Sequence, residues 1–369
     1  MNLELTDEQA ALRDTVRRFL AEKATTSGHV RPMLEDLTGT THVVWRGLAE
    51  LGATGLLVPQ ECGGAGMTMV EAGIVAEELG AALHPGPWLS TAVAAPRALA
   101  RFGAEAAALL TAISDGTVIA TVGALGGARP AAIERGDGAV LRGEIDAVAD
   151  AAAADVLLVL ADGPDGAGLF AVDSASSGVV VAPEHGIDQT RKQFRVTLDD
   201  APAQRLADAS PEAVQALADD ILVTRAADAL GAARAVLDLA VDYAKVRRQF
   251  GHPIGSFQAV QHLCVDMYET VELARSGVIH ALWAADAAGT DERHLAAVRA
   301  KAFAGRLAAV GDTAIQVFAG IGYTWEHDAH LYLKRLLSWN EFTGGPDHYL
   351  MHVGAQLAQS IRQRRSSSP

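Results

Sequence analysis

The alternation of apolar and polar positions divides the chain into three regimes. Up to about residue 115 the pattern predicts helices over 9–24, 42–51, 70–83 and 89–113. The first opens at Thr6, whose spacing to Asp7, Glu8 and Gln9 has the form of a capping box. Between the helices, VPQECGGAGMT is a glycine-rich turn without a helical period. From about 117 to 200 the pattern shortens to apolar runs of strand length: TVIATVGA, AVLRGEI, DVLLVLA, GLFAV, GVVVAP and KQFRVTLD. Beyond 211 it lengthens again, predicting alanine-rich helices over 211–246, 256–288, 291–320, 328–342 and 346–363, with RRSSSP as a frayed tail.

These regimes set the expected domains at 1–115 (N-terminal helical), 116–205 (middle β) and 206–369 (C-terminal helical bundle). The middle strands do not alternate with long helices, so a largely antiparallel, barrel-like sheet is expected and a Rossmann sheet is not. No GxGxxG follows a strand, and neither a P-loop nor a GxSxG elbow is present. Long helices rich in alanine and apolar around much of their circumference need further chains to cover them, so oligomerisation through the bundle is expected.

Composition narrows the function classes. Hydrophobic residues make up 50% of 369, enough to build a large core. Lys and Arg number 30 against 45 Asp and Glu, a net charge of -15, which argues against binding nucleic acid or anionic lipid. Cys62 and Cys264 are too few for a disulfide framework and lack metal-ligand spacing. The acidic, amphipathic N-terminus is unlike a signal peptide, and no apolar stretch has the length of a membrane span, so a cytoplasmic location is expected.

Two segments concentrate chemistry. In YAKVRRQFGHPIGSFQAVQH (243–262), a long helix is expected to end at Gly251, with a Pro–Ile–Gly turn next and Ser256 capping the following helix. Arg247 and Arg248 then fall in the last helical turn, where cations offset the helix dipole. Read plainly, they are helix-end charges and Phe250 is a core plug. Read chemically, a guanidinium, amide donors and an aromatic on one bend can hold a pyrophosphate beside an adenine. In QVFAGIGYTWEHDAHLYLKR (316–335), a break at 320–322 lets backbone approach a ligand closely, or serves only as a glycine helix cap. His327 and His330 stand i, i+3 without a third ligand and read as capping or surface residues.

In this order, the two segments resemble the signatures R-x-Q-F-G-x-x-I-x-x-F-Q and Q-x-x-G-G-x-G-[FY] of the acyl-CoA dehydrogenases. The resemblance covers essentially the whole chain and is nearest to the actinobacterial steroid and fatty-acid branch. It implies an α-helical fold with a β-barrel-like middle domain and a four-helix bundle. It also implies a FAD shared across a subunit interface. Arg247, Gln249, Phe250, Phe257, Gln258, Gln316 and Gly320 would touch the adenosine and pyrophosphate of a flavin seated mainly in a neighbour. Ala319 replaces the family's usual first glycine.

Other family features are missing. The base that removes the substrate α-proton falls on Gly344, or in the alternative family location on Thr224 beside Arg225; neither is a carboxylate. Glu341, one turn back, is a minor substitute and reads more readily as a solvated helix residue. The first flavin loop, ATVGALGGARP, lacks the family's acid–proline pair and serine, and Ala147 takes the place of an aromatic against the flavin ring. The resemblance therefore implies a non-catalytic subunit of an α2β2 acyl-CoA dehydrogenase that forms 2,3-enoyl-CoA and passes electrons to an electron-transfer flavoprotein. Two alternatives stay open: an active homotetramer, or a flavin-free CoA-ester binder or structural protein on the same scaffold.

Overall fold

A computed structural model describes residues 4–135 and 138–366, with the side chains of 360–366 left out. Helices α1 (Asp7–Lys23), α2 (His42–Glu50), α3 (Met69–Ala81), α4 (Ala95–Phe102) and α5 (Ala107–Ser114) come first. The Thr6 capping box forms with Gln9, and Thr68 and Glu71 form a second one ahead of α3. The single helix expected over 89–113 is instead a π-helical turn (Leu89–Ala94), α4 and α5. Gly103, at φ 66, takes the left-handed conformation that stops α4.

Strands β1 (Ala120–Gly123), β2 (Ala131–Arg135), β3 (Gly138–Ala149), β4 (Val156–Gly163), β5 (Gly166–Asp173), β6 (Val179–Glu184) and β7 (Gln193–Asp208) follow. The order β1-β4-β2-β3-β7-β5, with β5 also paired to β4, closes the sheet on itself, and β6 lies along β7. Closure removes the free edges that an open antiparallel sheet would leave. The pairing is antiparallel except where β4 meets β1 and β2. A register shift between Ile145 and Val148 bulges β3 toward its end and places Ala147 at φ 55.

Helix α6 (Pro211–Val246) begins at Ser210, whose hydroxyl accepts from Ala213 N, with Pro211 at the first helical position. It is the central post: α3 packs on it from one side, and the bundle helices α7 (Gln258–Ala287), α8 (Thr290–Ala304), α9 (Leu307–Phe318) and α10 (Ala329–Glu341) from others. Small residues allow that approach. A Cβ on Gly231 would lie 1.8 Å from Glu77 O, and one on Gly80 1.9 Å from Asp228 O. A charge ladder, Arg17–Glu78–Arg234–Glu77–Arg275, ties α1 and α3 to α6 and α7.

Helix α11 (Pro346–Ser366) packs on α8 and carries regular structure through 364–366 of the expected tail; 367–369 lie outside the described residues. The span expected as 291–320 is cut at Gly305–Arg306 into α8 and α9. Among the described residues, no helix is long and apolar enough to cross a membrane, and no group of three or more His, Cys, Asp or Glu could hold a metal.

Candidate functional site

Both chemistry-bearing segments lie at one end of the bundle. Helix α6 stops at Val246, earlier than Gly251, because Arg247 leaves helical geometry with ψ 128. Arg247 is thus the C-cap residue, and Arg248 lies outside the helix in β8 (Arg248–Gln249), which pairs with β9 (His252–Pro253). Phe250 and Gly251, at φ 53 and 83, make the two-residue turn between them. Two successive positive φ values suit the twist of a tight hairpin, and glycine takes one at no steric cost. The turn lifts Phe250 to 89% exposure, so it is not a core plug; its ring meets Phe257 edge-on at 6.2 Å. Ser256 does not cap α7 either: its hydroxyl donates to Pro253 O, and Phe257 is the N-cap.

The second segment reaches the same end through α9. Phe318 closes that helix, and its ring lies 5.1 Å from Tyr243 on the last turn of α6. Ala319 follows at φ 55, a conformation that disfavours any Cβ and that the glycine it replaces would take freely. A 3-10 turn (Ala319–Tyr323) leads toward α10. Gln316, Ala319, Gly320 and Tyr323 face solvent, and nothing lies within 4 Å of a Cβ built on Gly320. His327 caps α10 by accepting from Ala329 N, whereas His330 is buried against Trp325 and is no surface residue.

Arg247, Gln249, Phe250, Phe257, Gln258, Gln316 and Gly320 are therefore all exposed. Among the described residues, no side-chain hydrogen bond or ion pair engages Arg247, Gln258 or Gln316. A cation, amide donors, two aromatic rings and an open glycine backbone are the groups that grip a nucleotide's phosphates and base. They face away from their own chain.

The positions implied for base and flavin ring look different. Thr224 is buried, and its hydroxyl donates to Asp220 O one turn back. Gly344, at φ 104, sits in an exposed loop behind Thr343 at φ 57. Glu341 is exposed and accepts from the Asn340 amide at 2.7 Å. Ala147 is exposed at its bulge, and its N–H donates to Glu184 Oε2 at 2.8 Å. The bulge backbone is thus tied to β6 by a carboxylate, and position 147 presents a methyl group where the resemblance implies an aromatic ring.

Beside these positions lies a buried polar group that sequence reasoning missed. Asp150, at φ 57, ends the β3 excursion and accepts from the Ser90 hydroxyl. Next to Ser90, the Thr91 hydroxyl donates to Ala120 O, tying the N-terminal helices to the ends of β1 and β3. Burial pushes the Asp150 carboxyl up to about 6, against Ser90 and the charges of Arg191, Arg225 and Lys192. Its folded value lies above the ordinary unfolded value of about 4, so folding takes up a proton. This stability is full below about pH 4 and is lost as pH rises through about 6. Asp150→Asn, which keeps the shape and tolerates positive φ, should remove about 1.4 kcal/mol of pH dependence between pH 5 and pH 8. Urea denaturation at pH 5 and pH 8 measures it, and equal slopes in parent and variant would refute the assignment.

Known proteins share this arrangement along nearly the whole chain. The family described as "Acyl-CoA dehydrogenase, N-terminal domain" matches residues 6–109, and "Acyl-CoA dehydrogenase, C-terminal domain" matches 222–358. The chain is 38% identical to acyl-CoA dehydrogenase FadE34 of Mycobacterium tuberculosis over 370 residues, covering 98% of itself and 49% of that protein. It therefore spans about half the length of FadE34. It is 35% identical to acyl-CoA dehydrogenase IpdE2 of Mycolicibacterium smegmatis over 361 residues, covering 96% of itself and 100% of that protein. Among solved structures it resembles a single-site variant of the Tcur3481-Tcur3483 steroid ACAD, with TM-score 0.86, 30% identity and coverage of 96% and 99%. It also resembles the ChsE4-ChsE5 complex from Mycobacterium tuberculosis, with TM-score 0.87, 26% identity and full coverage of both chains.

Proposed function

Because the chain belongs to the acyl-CoA dehydrogenase family, we propose that it is the non-catalytic subunit of a heteromeric enzyme of that family. In this reading it lends the adenosine and pyrophosphate half of a FAD site to a catalytic partner. The observation that carries it is the contrast between two surfaces. The residues for the nucleotide half are exposed and turned outward, while the positions for base and ring hold Gly344, a buried Thr224 and an Ala147 N–H already bonded to Glu184.

The residues fit one half of the cofactor. Arg247 offers a guanidinium that is unpaired among the described residues for a pyrophosphate, Gln249, Gln258 and Gln316 offer amides, Phe250 and Phe257 offer flat faces, and Gly320 lets backbone come close. They do not fit the other half, where the chain's own ring-side loops hold Gly126, Gly127 and Ala128 in place of hydroxyls. When bound, FAD supplies the hydride acceptor for the substrate β-carbon. This chain's residues contribute by holding the end of the cofactor remote from that chemistry.

The relatives support a partnered, steroid-related reading. One structural neighbour is a complex of two named chains and another is a steroid ACAD. FadE34 has the length for a second unit of this size beside the matched half. The proposed assembly oxidises a bulky acyl-CoA, of steroid side-chain type, to its 2,3-enoyl-CoA, with a flavoprotein as electron acceptor.

Flavin stoichiometry tests the proposal. The purified chain should carry no FAD, and its complex with the partner one FAD per heterodimer. Flavin that stays with the chain alone and is reduced by an acyl-CoA would establish the homotetrameric enzyme instead. Arg247→Ala should weaken FAD retention in the complex about tenfold or more, since a charge-assisted hydrogen bond is worth about 1.5–3 kcal/mol. At a ligand-free helix end the same change costs only about 0.3–1 kcal/mol of stability. Equal flavin content in parent and variant complexes would discard this role.

A further inference from the structure

Lys301 is a lysine with no exposed surface, on the face of α8 that packs inward with Ala297, Ala300 and Ala304. Its ammonium donates to Trp339 O and to Asn340 O, the latter at 3.2 Å, and lies 3.9 Å from the Trp339 ring. The Trp339 indole N–H donates back to Ala304 O at 2.8 Å. Those acceptors belong to the last turn of α10, where Trp339 O also accepts from the N–H of the C-cap residue Phe342 at 3.2 Å. No carboxylate lies in ion-pair reach of the ammonium among the described residues, so the helix end and the indole face are its direct partners, with Glu341 acting from farther away.

Directly after that turn comes the loop where the family's base would fall. Phe342 leads it, with its ring 4.1 Å from the guanidinium carbon of Arg225, a half-buried cation reaching in from α6. Thr343 and Gly344 then run at positive φ, and Thr343 is joined to Tyr349 of α11 by a hydroxyl contact of 2.8 Å. The buried Lys301 thus fixes the end of α10, and Arg225 seats the first side chain of the loop.

We propose that Lys301 is the positioning residue of the 342–345 loop: by capping α10 from α8, it keeps Phe342 on Arg225 and residue 344 in one place. The inference deepens the subunit reading, in which that place carries no base. Burial pushes the Lys301 ammonium down to about 7, with Glu341 of α10 favouring the charge and Arg225 of α6 opposing it. In the folded protein the ammonium is therefore charged below about pH 7 and neutral above it.

The test uses the full chain. The Trp339 emission, taken as the difference between the parent and Trp339→Phe, should titrate with a midpoint near 7, and this transition should be absent on the Lys301→Met background. At fixed pH 6, the hydrogen-bonded amides of Phe342 and Gly344 should exchange with deuterium about tenfold faster or more in Lys301→Met, the loss of one hydrogen bond to a charged group. Lys301→Arg, which keeps a cation and donors, should restore slow exchange and show no titration near 7. Unchanged loop exchange in Lys301→Met would overturn the proposal. Should that variant not fold, slow exchange lost in Lys301→Arg would do so. Flavin bound by the chain alone would refute the subunit reading but leave both readouts intact.

Discussion

Gly344→Glu is expected to leave the isolated chain without acyl-CoA dehydrogenase activity, even with added FAD. Removing an α-proton while a hydride leaves the β-carbon needs three things at once: a carboxylate at the α-carbon, a flavin ring over the β-carbon, and donors polarising the thioester carbonyl. A restored base is worth roughly 10²–10⁴ in rate only where the other two exist. Here Glu184 holds the Ala147 N–H, and no hydroxyl lines the 124–130 loop. The new glutamate would also start from φ 104, a conformation strained for any residue with a Cβ. The measurement is anaerobic bleaching of the flavin band on adding an acyl-CoA, for parent and variant, alone and with the partner. Bleaching by the parent alone would overturn the subunit proposal. Bleaching by the variant alone would show that the base was the only missing part.

The features legible in the sequence were those with a local signature. Pro211 after Ser210 marks the start of α6, and short apolar runs with turn signals mark the strands that close into the barrel. Element ends were harder to read, because they depend on backbone choices that composition does not reveal. Arg247 turns extended although it could continue a helix, which moves the end of α6 from Gly251 to Val246 and puts Phe250 at a hairpin tip. Gly103 and Gly305 split helices whose alanine content reads as continuous.

The buried charges were missed for a different reason. Lys301 in VRAKAFAG breaks the apolar stripe of α8, and its period with Ala297 and Ala304 is a sequence signal that a lone lysine makes easy to overlook. Asp150, Arg191 and Asp228 carry no such signal, since their partners lie far along the chain and meet only after the barrel docks on the helices.

Arg335→Met is expected to cost about 3–5 kcal/mol, the loss that follows when one partner of a buried ion pair is removed. Arg335 is 2% exposed on α10 and makes a two-pronged pair with Asp228 of α6: Nε donates to Oδ1 at 2.9 Å and Nη2 to Oδ2 at 2.7 Å. Its remaining donors reach Thr190 Oγ1 at 2.9 Å and His84 O at 3.2 Å, joining the bundle to the segment before β7 and to the residues after α3. Arg191 closes the cluster on Asp228 from the same segment. Methionine fills the volume but leaves a buried carboxylate facing one cation, and strands the acceptors on Thr190 and His84. Burial alone would raise the Asp228 pKa; the charges of Arg191 and Arg335 overcome it and hold the group far below the usual carboxylate range. Its contribution is therefore present above the unfolded value of about 4 and is lost as pH falls below that. Without Arg335 the depression weakens, so the variant should be destabilised at pH 7 and its acid unfolding should begin at higher pH than the parent's. Guanidinium denaturation at pH 7, with an acid titration followed by far-UV circular dichroism, measures both. A loss under about 1 kcal/mol with an unmoved acid midpoint would mean that Arg191 alone compensates Asp228, and that the three-way junction does not depend on the arginine of α10.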